Sequence, residues 1–88
     1  MKVLKFGAVW CKECLVMKPM WAKIEEAIPE LQTEYYEADE NPEVLEKYGV
    51  ENIPTFIFLD KEGQEFERLH GMQNEDELME KVKANLDK

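Results

Sequence analysis

Residues 9–19, VWCKECLVMKP, set Cys11 and Cys14 three positions apart directly after Trp10. They are the only cysteines in the 88-residue chain. A Cys-x-x-Cys pair can hold a metal, form a lasting structural bridge or exchange electrons, and its surroundings have to decide. Upstream, Val3–Ala8 is a short apolar run interrupted near its end by Gly7, as expected of a buried strand. Downstream, Cys14, Met17, Trp21, Ile24 and Ile28 recur at steps of three and four, the period of one helix face. Lys18, Lys23, Glu25 and Glu26 fall largely on the other face. The pair therefore opens a helix that directly follows a strand. Pro19 lies inside that helix, where it removes a hydrogen bond and presses on the carbonyl four residues back, so a kink is expected. Pro29 closes it.

Working outward, Glu34–Asp39 is expected as a second short strand. In NPEVLEKYG, residues 41–49, Asn41 suits an N-cap, Pro42 the first helical position and Gly49 the C-terminal stop. Thr55–Leu59 (TFIFL) is a continuous apolar run, expected of a central strand covered on both faces. DKEG, residues 60–63, is a turn, and Gln64–His70 alternates like the edge partner of a hairpin. Asn74, with Glu77 three residues on, resembles a capping box before a helix striped by Leu78, Val82 and Leu86. The order β-α-β-α-β-β-α predicts an α/β fold: a four-stranded mixed sheet with helices on both faces. Strands joined through a helix are expected to run parallel with a right-handed crossover, and the hairpin adds an antiparallel strand. Residues 1–88 read as one domain.

Hydrophobic residues make up 44% of the chain and charged residues 35%, a balance that suits a soluble globular protein. No apolar run approaches a membrane span, and the start MKVLKFGAVWC reads straight into a strand rather than into a signal peptide. Two cysteines in such a chain suggest a reducing, cytoplasmic setting. The net charge of −9 disfavours nucleic acid and anionic membranes as partners. Residues 1–24 hold five lysines against Glu13, a balance of +4. Residues 25–88 hold six basic and nineteen acidic side chains, a balance of −13. The cysteine end is thus basic on an acidic body. Solubility accounts for this, and so does a field that orients partners toward the cysteines.

A structural zinc site wants four Cys or His ligands, whereas the chain offers two cysteines and the distant His70. Three residues apart on a helix, two cysteines share a face within disulfide reach. Cys11 stands at the helix N-terminus, where free N–H groups and the dipole favour a thiolate. Cys14, one turn in, is expected to be buried and less acidic. In that asymmetry Cys11 attacks a substrate disulfide and Cys14 resolves the mixed disulfide.

WCKEC, Pro19 five residues after Cys14, NPEVLEKYGVENIPT and Gly71 before the last helix together resemble the thioredoxin family. The resemblance covers nearly the whole chain. It implies a thioredoxin-like three-layer α/β/α fold, short of the first strand and helix of full-length members and near glutaredoxin in size. It also implies a cis Ile53–Pro54 bond facing the cysteines, with Ile53 pairing in β fashion with an extended substrate. Trp10, Pro54, Gly71 and Met72 would form an apolar rim, with Lys12 and Glu13 completing the surface a substrate meets. Expected partners are protein disulfides and an electron donor of the thioredoxin-reductase type, acting on a monomer without bound cofactor or metal.

Four positions depart from the family. Lys12 and Glu13 replace its usual Gly-Pro, with opposite effects on a Cys11 thiolate. Lys5 and Tyr35 stand where the family has a buried Asp and its Lys partner, so both are candidate proton-transfer or modulating residues. Lys5 is expected to reach solvent, to pair with an acid such as Glu37, or to act as a neutral base for Cys14. These departures keep open an interaction module that docks a partner without turnover. His70 reads as a strand-end residue.

Overall fold

The computed structural model describes residues 1–88, with seven elements in chain order. They are β1 (Lys2–Gly7), α1 (Lys12–Ala27), β2 (Gln32–Glu37), α2 (Pro42–Tyr48), β3 (Thr55–Leu59), β4 (Glu65–His70) and α3 (Glu75–Asn85). The four strands form one sheet in the order β2-β1-β3-β4. The pleat sorts their side chains onto two faces. Val3, Phe56 and Phe58 point toward α1 and α3, where they pack with Met17, Trp21, Ile24, Leu78 and Val82. Leu4, Phe6, Ile57 and Leu59 point the other way, onto Val44, Leu45 and Tyr48 of α2. Trp21 sits between the two phenylalanines of β3, with ring centroids 5.3 Å from Phe56 and 6.4 Å from Phe58. All five residues of β3 are buried, as the TFIFL run requires of an interior strand.

Local signals account for most boundaries. Asn74 accepts the Glu77 N–H at 3.1 Å and starts α3. Gly49, at φ +64°, ends α2 in the left-handed conformation that favours glycine. Pro42 takes the first position of α2, but Asn41 makes no side-chain cap; its Nδ2 donates instead to the Glu37 carbonyl. The helix α1 continues through Pro19. β2 begins two residues earlier and ends two residues earlier than the sequence suggests, because its register with β1 pairs Lys2 with Gln32 and Gly7 with Glu37.

One expectation about direction is overturned. β1 and β2, joined through α1, are parallel. β3, joined to β2 through α2, is antiparallel to β1 and therefore to β2. The chain leaves β2 beside Gly7 and enters β3 beside Phe6, at one end of the sheet. A seven-residue helix rises only about 10 Å, less than the ~20 Å length of a six-residue strand, and here the residues after it return the chain to its starting end. No helix is long and apolar enough to cross a membrane.

Candidate functional site

Gly7 ends β1, and a tight turn closed by the Cys11 N–H to the Ala8 carbonyl (3.1 Å) delivers the first cysteine to the start of α1. Cys11 is the N-cap residue, and its Sγ accepts the Cys14 N–H at 3.2 Å. The two Cα atoms are 5.2 Å apart and the sulfurs are paired as a disulfide. The expected burial order is reversed: Cys11 is 8% exposed, whereas Cys14 is half-buried. The cause lies under Cys14, where a cleft of about 30 Å³ opens beside Gly7, Tyr35, Lys18 and Pro54.

Gly7 is required by close approach rather than by its own dihedrals. A Cβ there would stand 3.2 Å from Cys14 Sγ and 3.3 Å from Tyr35 Oη. Pro54 borders the same cleft, so the loop before β3 meets the cysteine helix. The Ile53–Pro54 peptide is cis. The Pro54 carbonyl accepts the Gly71 N–H at 2.8 Å, and Gly71 holds φ +76°, a conformation that favours glycine. Met72 comes next, half-exposed, and the N–H of Gln73 contacts Met17 Sδ of α1 at 3.4 Å. The loop before β3 thus meets the cysteine helix directly, and the segment after β4 reaches it through Pro54 and Met17. Ile53 has neither its N–H nor its C=O engaged in a hydrogen bond within the chain. Behind it, the Thr55 hydroxyl donates to the Asn52 carbonyl, which leaves its oxygen to accept from His70 Nδ1 at 3.1 Å. His70 therefore braces the loop from β4.

Trp10 is 64% exposed, and its Nε1–H donates to Asp39 Oδ2 at 2.9 Å. Val9 N–H donates to Glu37 Oε2 at 3.1 Å, and the other Glu37 oxygen accepts the Tyr35 hydroxyl at 2.9 Å. Burial, followed by that bond to Glu37, pushes the Tyr35 hydroxyl up to about 12. Lys12 and Glu13 lie exposed on the first turn of α1. Lys5 pairs with Glu25 at 2.6 Å rather than with Glu37, and its Nζ lies 5.8 Å from the Trp21 ring centroid. The Thr33 hydroxyl shares the same Glu25 oxygen at 3.0 Å. The Lys5 head is thereby drawn down α1 toward Glu25. No group of three or more His, Cys, Asp or Glu side chains is placed to hold a metal ion.

Sequence reasoning missed Glu25 and Asp39, and offered Glu37 only as a partner for Lys5. Glu37 was within reach, since period-two alternation puts Thr33, Tyr35 and Glu37 on one face of β2. Asp39 carried no signal, because its role depends on a loop folding over Trp10. These acids also change the electrostatic picture: the acidic half supplies side chains directly against the basic, cysteine-bearing half.

Residues 1–84 match the Thioredoxin family. The chain belongs to the thioredoxin family. It is 39% identical over 79 residues to Thioredoxin H5 of Oryza sativa subsp. japonica, covering 90% of this chain and 57% of that relative. The crystal structure of thioredoxin NaTrxh from Nicotiana alata superposes with a TM-score of 0.87 at 32% identity, over 96% of this chain and 71% of that one. Thioredoxin from Trypanosoma brucei brucei does so at TM-score 0.87 and 29% identity, over 99% and 75%. The chain therefore has a thioredoxin-like fold, and it spans a little over half the length of the rice relative.

Proposed function

We propose that this thioredoxin-family chain is a thiol–disulfide oxidoreductase that reduces protein disulfides through Cys11 and Cys14. The observation that carries the proposal is the placement of the pair: Cys11 caps α1 beside an exposed Trp10, with Pro54 in contact with the cleft under Cys14. In the dithiol form the α1 N-terminus favours a Cys11 thiolate. That thiolate attacks one sulfur of a substrate disulfide, breaking its S–S bond and releasing the first substrate thiolate. Cys14, as thiolate, then attacks Cys11 Sγ, releases the second and closes the Cys11–Cys14 disulfide. A dithiol donor of the thioredoxin-reductase type returns two electrons and two protons.

Ile53 supports the docking half of this reading, because its unpaired N–H and C=O can take an extended substrate segment in β fashion. Trp10, Pro54, Gly71 and Met72 supply the apolar rim, and Lys12 and Glu13 the charged part of the surface. A reducing compartment such as the cytoplasm suits a pair that donates electrons to protein disulfides.

The test is a trapping experiment. With Cys14→Ser, a disulfide-bonded protein substrate should accumulate as a mixed disulfide on Cys11, visible as a mass adduct lost on reduction. With Cys11→Ser it should not. Equal trapping by both variants, or none by either, would refute the assignment of roles.

A further inference from the structure

Closing the disulfide requires Cys14 to lose its thiol proton, because only the thiolate attacks. No β1 carboxylate is there to receive it, since Lys5 holds that strand position and is paired with Glu25. What faces Cys14 instead is Tyr35. Gly7 leaves the intervening space bare: one point beside it lies 3.2 Å from Cys14 Sγ and 3.3 Å from Tyr35 Oη. The cleft at this point, about 30 Å³, has room for a water or two. Trp21 also lines it, and Trp21 Nε1 is the one buried side-chain polar atom without a partner, a need that a bound water ordinarily meets. Tyr35 Oη gives its hydrogen to Glu37 Oε1 and so has a lone pair free to accept. Glu37 is fixed in turn by the Val9 N–H on its other oxygen.

We propose that the proton of Cys14 passes through a cleft water to the Tyr35 hydroxyl, which hands its own proton to Glu37. This deepens the oxidoreductase reading and rests on it. The Cys14 S–H bond breaks, the water delivers a proton to Tyr35 Oη, and the Tyr35 O–H proton moves to Glu37 Oε1. The Cys14 thiolate then attacks Cys11 Sγ. The bond from Cys11 to the substrate sulfur breaks, and the substrate leaves as a thiolate that recovers the proton from Glu37 through solvent. The cysteine pair is oxidised, the substrate sulfur is reduced, and Tyr35 is neutral before and after. Its raised pKa keeps it protonated between turnovers. Tyr35 is the group that meets the reacting thiol; Glu37 acts through it. Lys18 of α1 and Lys5 of β1 line the cleft and favour the Cys14 thiolate, while Glu37 and Glu40, outside that lining, oppose an ionised Tyr35.

The experiment mixes the reduced chain with 5,5′-dithiobis(2-nitrobenzoate) in a stopped-flow instrument. The first nitrobenzoate thiolate released reports Cys11 attack, and the second reports Cys14 closing the disulfide. The first release is the internal reference. Tyr35→Phe removes the relay, and Glu37→Gln removes the acceptor while keeping a side-chain oxygen for the Val9 N–H. Each should slow the second release about tenfold or more at pH 7, within the range of general-base effects. The deficit should close as pH rises past about 8.5, where a thiol ionises unaided. A second release unchanged in both variants, or slowed equally at every pH, overturns the relay. No first release from the parent chain would overturn the oxidoreductase reading, and the relay with it.

Discussion

A methyl group on Gly7 tests how tightly the sheet holds the cysteine helix. In Gly7→Ala the new Cβ would stand 3.2 Å from Cys14 Sγ, 3.3 Å from Cys14 Cβ and 3.3 Å from Tyr35 Oη. The three neighbours differ in what they can yield. Tyr35 is half-exposed and can swing outward, whereas Cys14 Cβ is fixed to α1. Carbon contacts are most favourable at about 3.5–4.0 Å, so several tenths of an ångström must come from the α1–β1 spacing. Overpacking of this kind costs about 1–3 kcal/mol, against about 0.4–1 kcal/mol gained by restricting the unfolded chain. The net loss for the disulfide form is about 1.3 kcal/mol at the midpoints, within limits of about 0 and 2.6 kcal/mol. In the dithiol form Cys14 Sγ can turn about χ1 away from the methyl, so the loss there is smaller. Thermal unfolding followed by circular dichroism should show the oxidised variant melting lower by about 4–8 °C for each kcal/mol lost. The reduced variant should drop by less. The cycle then requires a less negative reduction potential, by about 21 mV for each kcal/mol of difference. Unchanged melting in both redox states, or a more negative potential, would refute the reasoning.

Two further outcomes concern side chains outside the disulfide. Asp39→Ala removes the acceptor that orients Trp10, a bond worth about 0.5–1.5 kcal/mol, so KM for a protein disulfide should rise roughly two- to tenfold with kcat kept. A fall in kcat at constant KM would count against a docking role for Trp10. Arg68 donates to the Tyr48 carbonyl at 2.7 Å and the Gly49 carbonyl at 3.3 Å, and ties the end of α2 to β4. Arg68→Met should cost about 1–2 kcal/mol in urea unfolding at pH 7. The hydrogen bond from Arg68 holds the Glu65 carboxyl below its ordinary 4.5. A lowered carboxylate stabilises the fold above that value and loses its contribution as pH falls through the folded pKa. The gap between parent and variant should therefore narrow near pH 3 while the carbonyl bonds remain, and a gap undiminished there would contradict the assignment.

Elements whose signals lie within a few residues were legible in the chain. The 3-and-4 spacing from Cys14 to Ile28, the Pro42 start and Gly49 stop of α2, the TFIFL run and the Asn74 cap each act over one turn or one pleat. Short windows of sequence contain them. The cysteine pair at a helix start belongs to the same class, as does the likeness carried by WCKEC and NPEVLEKYGVENIPT. The direction of β3 does not, because parallel or antiparallel entry depends on where the segment after α2 delivers the chain.

The site divides along the same line. The sequence by itself determined which residues carry the sulfur chemistry and that they open a helix after a strand, since both come from covalent spacing and helical period. Only the tertiary structure decided the company they keep. Lys5 found Glu25 across the α1–β1 packing, Trp10 found Asp39, and Glu37 came to rest between Val9 and Tyr35. Each of those pairs joins residues 20 to 29 positions apart, or depends on a partner that does. A charged side chain takes the nearest satisfying partner in space, and which partner is nearest is fixed by the packing of α1 on the sheet rather than by anything adjacent to it in the chain.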